Sequence, residues 1–396
     1  TELYSVRNVF SWNKGRHSVK IGGEMSLNKD IQETLLNNYG VFTFNGNSTA
    51  RVATTTPPVT AAAGNAFADF LIGIPSAITQ DAPVTAYTNS WYVAAFLQDD
   101  FRIHPRLSLN LGLRWDVQTP PTDPLNRVVN YVPGQRSTVN PIAPVGALFY
   151  GDPGVERGGI PVDYTHISPR FGFAWDPTGD GKTSIRSGFG IFYGSISGNE
   201  WNTMTNFQPF STRLTFTNIR QQTSPTGVPL GASLSNPYNA FVGGNPFPYT
   251  GTFTTGGGLF AVAQDFSWPL TMQANISIQR EITRNLSVGA AWVGTKSSRL
   301  PFGRDVNYPI ATPTATTAGA NVLARRPNPA FGAVTLLDSD QNASYNGLQL
   351  TVNFRMSKLV TLNAFYTLSE TLSSVQLHNN TTQGLAQNYT RLAQEQ

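Results

Sequence analysis

The chain has 396 residues, a formal net charge of +4 and only 13% charged residues, about half the charged share usual in soluble domains. Cysteine is absent, which excludes a disulfide scaffold, a Cys-ligated zinc or iron–sulfur site and a catalytic thiol. Hydrophobic residues make up 40% of the chain, with 24 Phe, 14 Tyr and 7 Trp, too many for a disordered solvating tail.

No stretch approaches the ~18 consecutive apolar residues of a membrane helix; the longest candidate, residues 66–74, is interrupted by Asp69. The sequence pI near 9.2 invites a nucleic-acid reading. The basic residues are dilute, however, and Arg325–Arg326 is the densest pair, whereas counterion release needs clustered Lys and Arg. No nucleic-acid partner is expected. The opening Thr1-Glu2-Leu3-Tyr4 lacks an initiator Met, a basic n-region and an apolar h-region, so no targeting signal is visible.

Along the chain, period two dominates. One face carries Val19, Ile21, Gly23, Met25 and Leu27; then Leu107, Leu109, Leu111, Leu113 and Trp115; then Ile185, Ser187, Phe189, Ile191 and Tyr193. It continues with Leu270, Met272, Ala274, Ile276 and Ile278, and with Leu348, Leu350, Val352, Phe354 and Met356. Only Gly23 and Ser187 are not apolar. The interleaved positions are polar or Gly, Phe192 excepted. Side chains alternate across a strand, so each segment is a ribbon with one greasy and one wet face.

Each ribbon has a partner across a short polar joint. The joints are Asn13-Lys14-Gly15-Arg16-His17, Arg102-Ile103-His104-Pro105-Arg106, the run Asp176-Pro177-Thr178-Gly179-Asp180-Gly181-Lys182, Glu281-Ile282-Thr283-Arg284-Asn285, and Arg355-Met356-Ser357-Lys358. They place Gly, Pro, Asn and Asp where tight turns want them, and five hairpins give ten strands. The connections over 30–89, 118–167, 196–269 and 297–344 are long, weakly periodic and rich in Thr, Asn, Gly and Pro. Extra strand material is expected at 41–44 and 213–216, and a short helix at 65–74. Tight turns and long loops strictly alternate, so one end of the sheet carries each kind.

A soluble β-sandwich also alternates, with its apolar face inward. Three features favour a membrane barrel. The ribbons run about ten residues, which suits an oblique bilayer crossing, against ~5–6 for sandwich strands. The turn asymmetry matches short periplasmic turns and long extracellular loops. Aromatics near strand ends, Trp12, Trp91, Trp115, Trp175, Tyr193, Trp292 and Tyr345, suit interfacial girdles. In lipid every backbone group must pair internally, so such strands close into a barrel. The apolar face then meets lipid, while Lys20, Glu24, Arg114, Asp116 and Arg186 face a polar lumen. The expected fold class is all-β: an antiparallel transmembrane β-barrel segment of about ten strands or more.

The run Trp91-Tyr92-Val93-Ala94-Ala95-Phe96-Leu97-Gln98-Asp99-Asp100-Phe101-Arg102, followed by Leu107-Ser108-Leu109-Asn110-Leu111-Gly112-Leu113-Arg114-Trp115-Asp116, resembles the barrel hairpins of TonB-dependent outer-membrane receptors. Ile167-Ser168-Pro169-Arg170-Phe171-Gly172-Phe173-Ala174-Trp175-Asp176 and Gly15-Arg16-His17-Ser18-Val19-Lys20-Ile21-Gly22-Gly23-Glu24 fit the same pattern, closest to the Oar-like subfamily with its N-terminal carboxypeptidase-regulatory-like domain. The resemblance implies a barrel of 22 strands, a plug domain, a TonB box and a signal peptide. The last three are not visible here, and the polar ending Arg391-Leu392-Ala393-Gln394-Glu395-Gln396 is unlike a final aromatic strand. Residues 1–396 are therefore expected to be one partial barrel domain, presenting an open sheet with two free edges.

Hidden chemistry is sparse. His17, His104, His166 and His378 lack close-paired zinc spacing. The string Gly179-Asp180-Gly181-Lys182-Thr183 approximates a phosphate loop, yet Asp176 stands where Gly is required and a strand, not a helix, follows. Asp176 and Asp180 miss the calcium-loop register, and Ile196 occupies the nucleophile position in Gly194-Ser195-Ile196-Ser197-Gly198. No catalytic, cofactor-binding or metal residue is expected, and the inward charges Arg114 and Asp116 read as a lumen network or a plug contact. The expected function, implied by the resemblance, is TonB-energised uptake of a scarce nutrient (siderophore, cobalamin-like cofactor, glycan or peptide) across the bacterial outer membrane. Its partners would be the lipid bilayer, the TonB complex through a plug, and a ligand at the extracellular loops. The alternative is a secreted or surface β-rich adhesin or glycan-binding module without a pore.

Overall fold

Period-two alternation becomes ten long strands: β1 (Glu2–Lys14), β2 (His17–Thr34), β3 (Val84–His104), β4 (Leu107–Gln118), β5 (Ile167–Trp175), β6 (Thr183–Tyr193), β7 (Leu270–Thr283), β8 (Leu286–Asp305), β9 (Phe331–Arg355) and β10 (Thr361–Ser373). The computed structural model describes all residues except 35–36, 51–53, 56–57, 60–61, 83, 196–203, 205–206, 212, 218–232, 240–252, 254, 311–321, 357–358 and 375–396. His378, the C-terminal hexapeptide, part of the fifth turn and positions 196–198 of the Gly194–Gly198 string lie outside the described residues.

The strands pair in chain order, each antiparallel to the next. All five joints read from sequence close hairpins. In the first, Lys14 pairs with His17 and Gly15 takes φ +59°, the positive angle that a type II′ hairpin turn requires at its first central position. The sheet is not closed: among the described residues β1 pairs only with β2, and β10 only with β9.

Opposed residues in an antiparallel pair share a face. Ile21, Leu97 and Leu113 are one such row; Leu111, Phe171 and Phe189 are another. This apolar face is the exposed one, with Ile21 at 53%, Leu113 at 52% and Ile278 at 49% of full exposure. On the other face the side chains of Arg114 and Asp116 keep 19% and 15%. The sheet is thus inside-out relative to a sandwich, whose greasy face would be covered. Both exceptions to the alternation have local explanations. Ser187 on the apolar face donates its hydroxyl to the Asn275 carbonyl on the adjacent strand (2.8 Å). Phe192 on the polar face lies under the Arg170 guanidinium, 4.8 Å from the ring centroid.

Three expectations need correction. First, several strands far exceed ten residues: β3 has 21, β8 20 and β9 25, so parts of the expected loops are strand extensions. Second, the sheet is not wholly antiparallel. Gly257–Val262 runs parallel to the start of β9, pairing Gly257 with Phe331 and Val262 with Leu337, and occupies the side that β10 takes lower down. Third, the girdle is smaller than expected. Trp12, Trp91, Trp115 and Trp175 are exposed, but Trp292 falls between Ile276 and Leu348 inside the apolar band. Tyr193 stacks on His166, and Tyr345 covers Gly347 on the polar face.

The expected minor elements form: strands Val41–Thr43 and Arg213–Thr217 flank Ala77–Asp81 in one small sheet, and a helix spans Ala66–Leu71. Asn65 caps it, its Oδ1 accepting from Phe67 N (2.8 Å) and Ala68 N (3.1 Å), the standard way to satisfy orphan donors of a first turn. The hydrophobic core lies in the long connections, outside the lower sheet. Val129, Tyr131, Ala147 and Phe149 pack with Leu259, Ala261, Phe331 and Val334; beside them Phe260, Val262, Phe266 and Trp268 surround Leu337. Buried polar groups there are tied down. Asn307 donates its amide to the carbonyls of Asn328, Phe331 and Gly332. Asp305 receives Asn307 N, Val334 N and Arg326 Nη1.

Candidate functional site

The polar face concentrates its chemistry at the loop end of β3–β6. Antiparallel register sets Arg7 of β1 beside Glu24, Glu24 beside Ala94 and Ala94 beside Asp116. Asp116 N then donates to the His166 carbonyl (3.0 Å), just before β5. Side chains two residues apart on this face meet. Arg114 Nε donates to Asp116 Oδ1 (2.6 Å), Tyr92 Oη donates to the same oxygen (2.6 Å), and Arg114 Nη2 donates to Tyr92 Oη (2.7 Å). Glu24 Oε2 lies 3.9 Å from Arg114 Nη2. The guanidinium also sits over the Phe96 ring, 5.9 Å from its centroid. Arg114 therefore has two carboxylates and a phenol, a closed set that fixes the arginine and fully compensates its charge.

Above this network lies an aromatic wall. The His166 imidazole stacks on Tyr193 with centroids 4.1 Å apart and meets Trp268 edge-on at 6.1 Å. Burial pushes the His166 imidazole below its ordinary value, against the pull of Asp163, whose Oδ2 is 3.2 Å from Nε2. A cleft of about 150 Å³ opens between Tyr92, Arg114, Ser168, Arg170, Phe192 and Trp268. A second hollow of about 150 Å³, lined by Arg7, Phe96, Gln98, Gly112, Arg114 and Arg170, continues along the same face. Ser168 is 1% exposed and its hydroxyl has no hydrogen-bond partner among the described residues.

Of the five inward charges named from sequence, Glu24, Arg114 and Asp116 come together. Lys20 shares a row with Gln98 and Gly112 nearer the turns, and Arg186 contacts Ser184 (3.2 Å) instead. Sequence reasoning missed Tyr92, Ser168, Arg170 and Trp268 as members of one site. The common parity of Tyr92, Ser168 and Arg170 on β3 and β5 is readable; their convergence with Trp268 depends on register and loop packing.

The remaining candidates dissolve into structural roles. His17 pairs with Asp99 (2.7 Å) and stacks on Phe101; His104 accepts from Arg106 N in its turn (3.2 Å). No group of three or more His, Asp or Glu side chains suited to a metal occurs among the described residues. The Asp176–Lys182 segment is a hairpin turn. Asp176 accepts from Gly179 N (2.8 Å) and Gly181 N (3.0 Å), and β6 follows directly. Those hydrogen bonds, Gly179 first, hold the Asp176 carboxyl below its ordinary range.

A family described as the outer membrane beta barrel domain matches residues 1–396. The chain belongs to this family. It is an outer-membrane β-barrel chain of bacteria, its exposed apolar face meets lipid, and its polar face lines the lumen. No curated protein matches it in sequence. Among solved structures it is similar to the outer membrane transporter YddB from Escherichia coli, at 11% identity and TM-score 0.49, with 94% of this chain and 33% of that one covered. It is also similar to the copper transporter OprC, at 12% identity and TM-score 0.43, covering 93% and 38%. A third is the ferripyoverdine receptor of the outer membrane of Pseudomonas aeruginosa bound to ferripyoverdine, at 10% identity and TM-score 0.41, covering 94% and 32%. The chain spans about a third of the length of these structures.

Proposed function

We propose that this chain is barrel wall from a TonB-dependent receptor of the Oar-like kind, working in energised uptake of a scarce nutrient. The observation that carries the reading is the β3–β4 hairpin. Its Trp91–Arg102 and Leu107–Asp116 runs are the residues that resemble the family, and Tyr92, Arg114 and Asp116 within them build the network at the lumen mouth. Short turns then lie in the periplasm and long connections outside the cell, where their packed core forms a ligand-collecting surface. Further strands of the same protein pair with β1 and β10, because unpaired backbone groups in lipid cost several kcal/mol each. A plug within the lumen carries the TonB contact. The soluble-adhesin alternative is disfavoured by the exposed apolar rows, which water would not tolerate on so many adjacent strands.

The test uses cells expressing the full-length protein and a panel of labelled ferric siderophores, cobalamin, a maltooligosaccharide and a short peptide. Accumulation of one panel member that stops on adding a protonophore or deleting tonB is the expected result. Accumulation indifferent to both treatments would remove the energised-receptor reading.

A further inference from the structure

Three guanidinium groups line the two contiguous hollows on the lumen wall: Arg7 on β1, Arg114 on β4 and Arg170 on β5. They differ in how they are satisfied. Arg114 is neutralised by Asp116 and Glu24. Arg170 has a single partner among the described residues, the Phe192 ring, and that contact leaves its five N–H donors unused. Arg7 makes no ion pair or hydrogen bond among them and borders the same hollow as Arg170. In the cleft on the other side of Arg170, the Ser168 hydroxyl is buried without a hydrogen-bond partner, a state that costs free energy unless something entering the cleft supplies one. Asp116, which borders the same cleft, already accepts from Arg114 and Tyr92.

We propose that this wall is a binding site for a small oxyanionic solute, with Arg170 and Ser168 holding one carboxylate or phosphate group and Arg7 a second. The chemistry follows from the side chains. A guanidinium presents a planar fork matched to the two oxygens of a carboxylate or phosphate, and a serine hydroxyl supplies one more donor. Asp116 and Glu24 are both held by Arg114, and neither makes an ion pair with Arg7 or Arg170 among the described residues. Arg170 rests on Phe192, which orients its plane without removing its charge. This inference rests on the receptor reading for its biological meaning and names the substrate class: polyanionic, carrying at least two carboxylate or phosphate groups.

The protein extracted from outer membranes in detergent is titrated calorimetrically at fixed ionic strength with citrate and with pyrophosphate, and with maltose as the neutral probe. Saturable binding of citrate or pyrophosphate, and none of maltose, is expected; which of the two binds decides between carboxylate and phosphate. Arg170→Gln should weaken it about tenfold or more and Arg7→Gln by a smaller factor, while Arg170→Lys, which keeps charge but not the fork, should fall between wild type and Arg170→Gln. Arg186→Gln, lower on the same wall, should leave binding unchanged. The proposal is overturned if neither anion binds saturably, if Arg186→Gln weakens binding as much as Arg170→Gln, or if binding survives Arg170→Gln in protein that keeps its strand circular dichroism. Should Arg170→Gln fail to assemble, the Arg7→Gln and Arg170→Lys variants decide by the same criterion. Binding in detergent needs no TonB and no proton-motive force. Anion binding without energised uptake would therefore remove the transport reading and leave this site, and energised uptake without anion binding would remove this site alone.

Discussion

The Phe96 ring lies across Gly22, its register partner on the neighbouring strand, so closely that a β-carbon at position 22 would sit 2.6 Å from the ring. The glycine lets the ring lie flat against the wall, and the flat ring underlies the Arg114 guanidinium. Tyr345 over Gly347 repeats the device, with its hydroxyl 2.5 Å from where a β-carbon would be. Aromatic cover of a strand glycine recovers packing that the missing side chain forfeits. Gly22→Val should lift Phe96 into the lumen and tilt Arg114 away from Asp116, at an overpacking cost of about 1–3 kcal/mol. Urea unfolding in lipid checks the number. Adding Phe96→Ala should restore only the ring's share of the loss, because the Asn8 carbonyl oxygen would also lie 2.8 Å from that β-carbon; if it restores none, the ring is not what Gly22 accommodates.

Neighbouring positions on one strand should differ sharply in tolerance for charge. Leu111 and Ile276 are exposed on the lipid face, whereas Asn110 points inward and donates to Asp100 (2.5 Å), with Asn275 on the same inner face beside Gly188. Leu111→Arg or Ile276→Arg should cost about 2–4 kcal/mol near the bilayer midplane. Asn110→Arg, beside a carboxylate, and Asn275→Arg should cost far less. A lipid-refolding titration giving equal losses for both members of a pair would refute the facing.

With no cysteine among these 396 residues, single cysteines placed in them report topology against the unsubstituted protein as control. Tyr39 and Ile142, in the long connections, are 88% and 65% exposed, and Asn285 lies exposed in a tight turn. In intact cells a membrane-impermeant maleimide should label Tyr39→Cys and Ile142→Cys and spare Asn285→Cys until the envelope is opened. Labelling in the reverse order would invert the barrel.

Asp152 organises the β4–β5 connection. Its carboxylate accepts from Ser137 Oγ, Thr138 N, Thr138 Oγ1, Val139 N and Phe149 N. Burial by itself would raise this carboxyl, but the Ser137, Phe149 and Thr138 hydrogen bonds outweigh it and hold the group far below the ordinary carboxylate range. A depressed folded value means the stabilisation is complete above the unfolded carboxyl's value near 4 and is lost as pH falls further toward the folded value. Hydrogen exchange of residues 137–149 should therefore accelerate on acidification below about pH 4. Asp152→Asn should lose roughly 1.5–3 kcal/mol of local protection and flatten that acid dependence. An unchanged acid profile in the variant would show that another group controls the connection.

The sequence by itself determined the ten strands, their five tight turns, the assignment of faces, and the exceptional positions Ser187 and Phe192. Each of these is local: the pleat puts successive side chains on opposite faces, so five or more alternate apolar residues identify a lipid-facing row without reference to any partner. It also determined that Arg114 and Asp116 share a face, since they are two residues apart. Only the tertiary structure decided what register brings together. Tyr131 meets Phe331 edge-on at 5.7 Å and Gly257–Val262 lies parallel to β9, contacts between distant segments whose apolar residues follow no single period. Arg7, Tyr92, Ser168, Arg170 and Trp268 likewise reach one stretch of lumen wall from four separate segments. Pairing register and loop packing are set by the simultaneous burial and hydrogen bonding of many segments, and no window of sequence contains that sum.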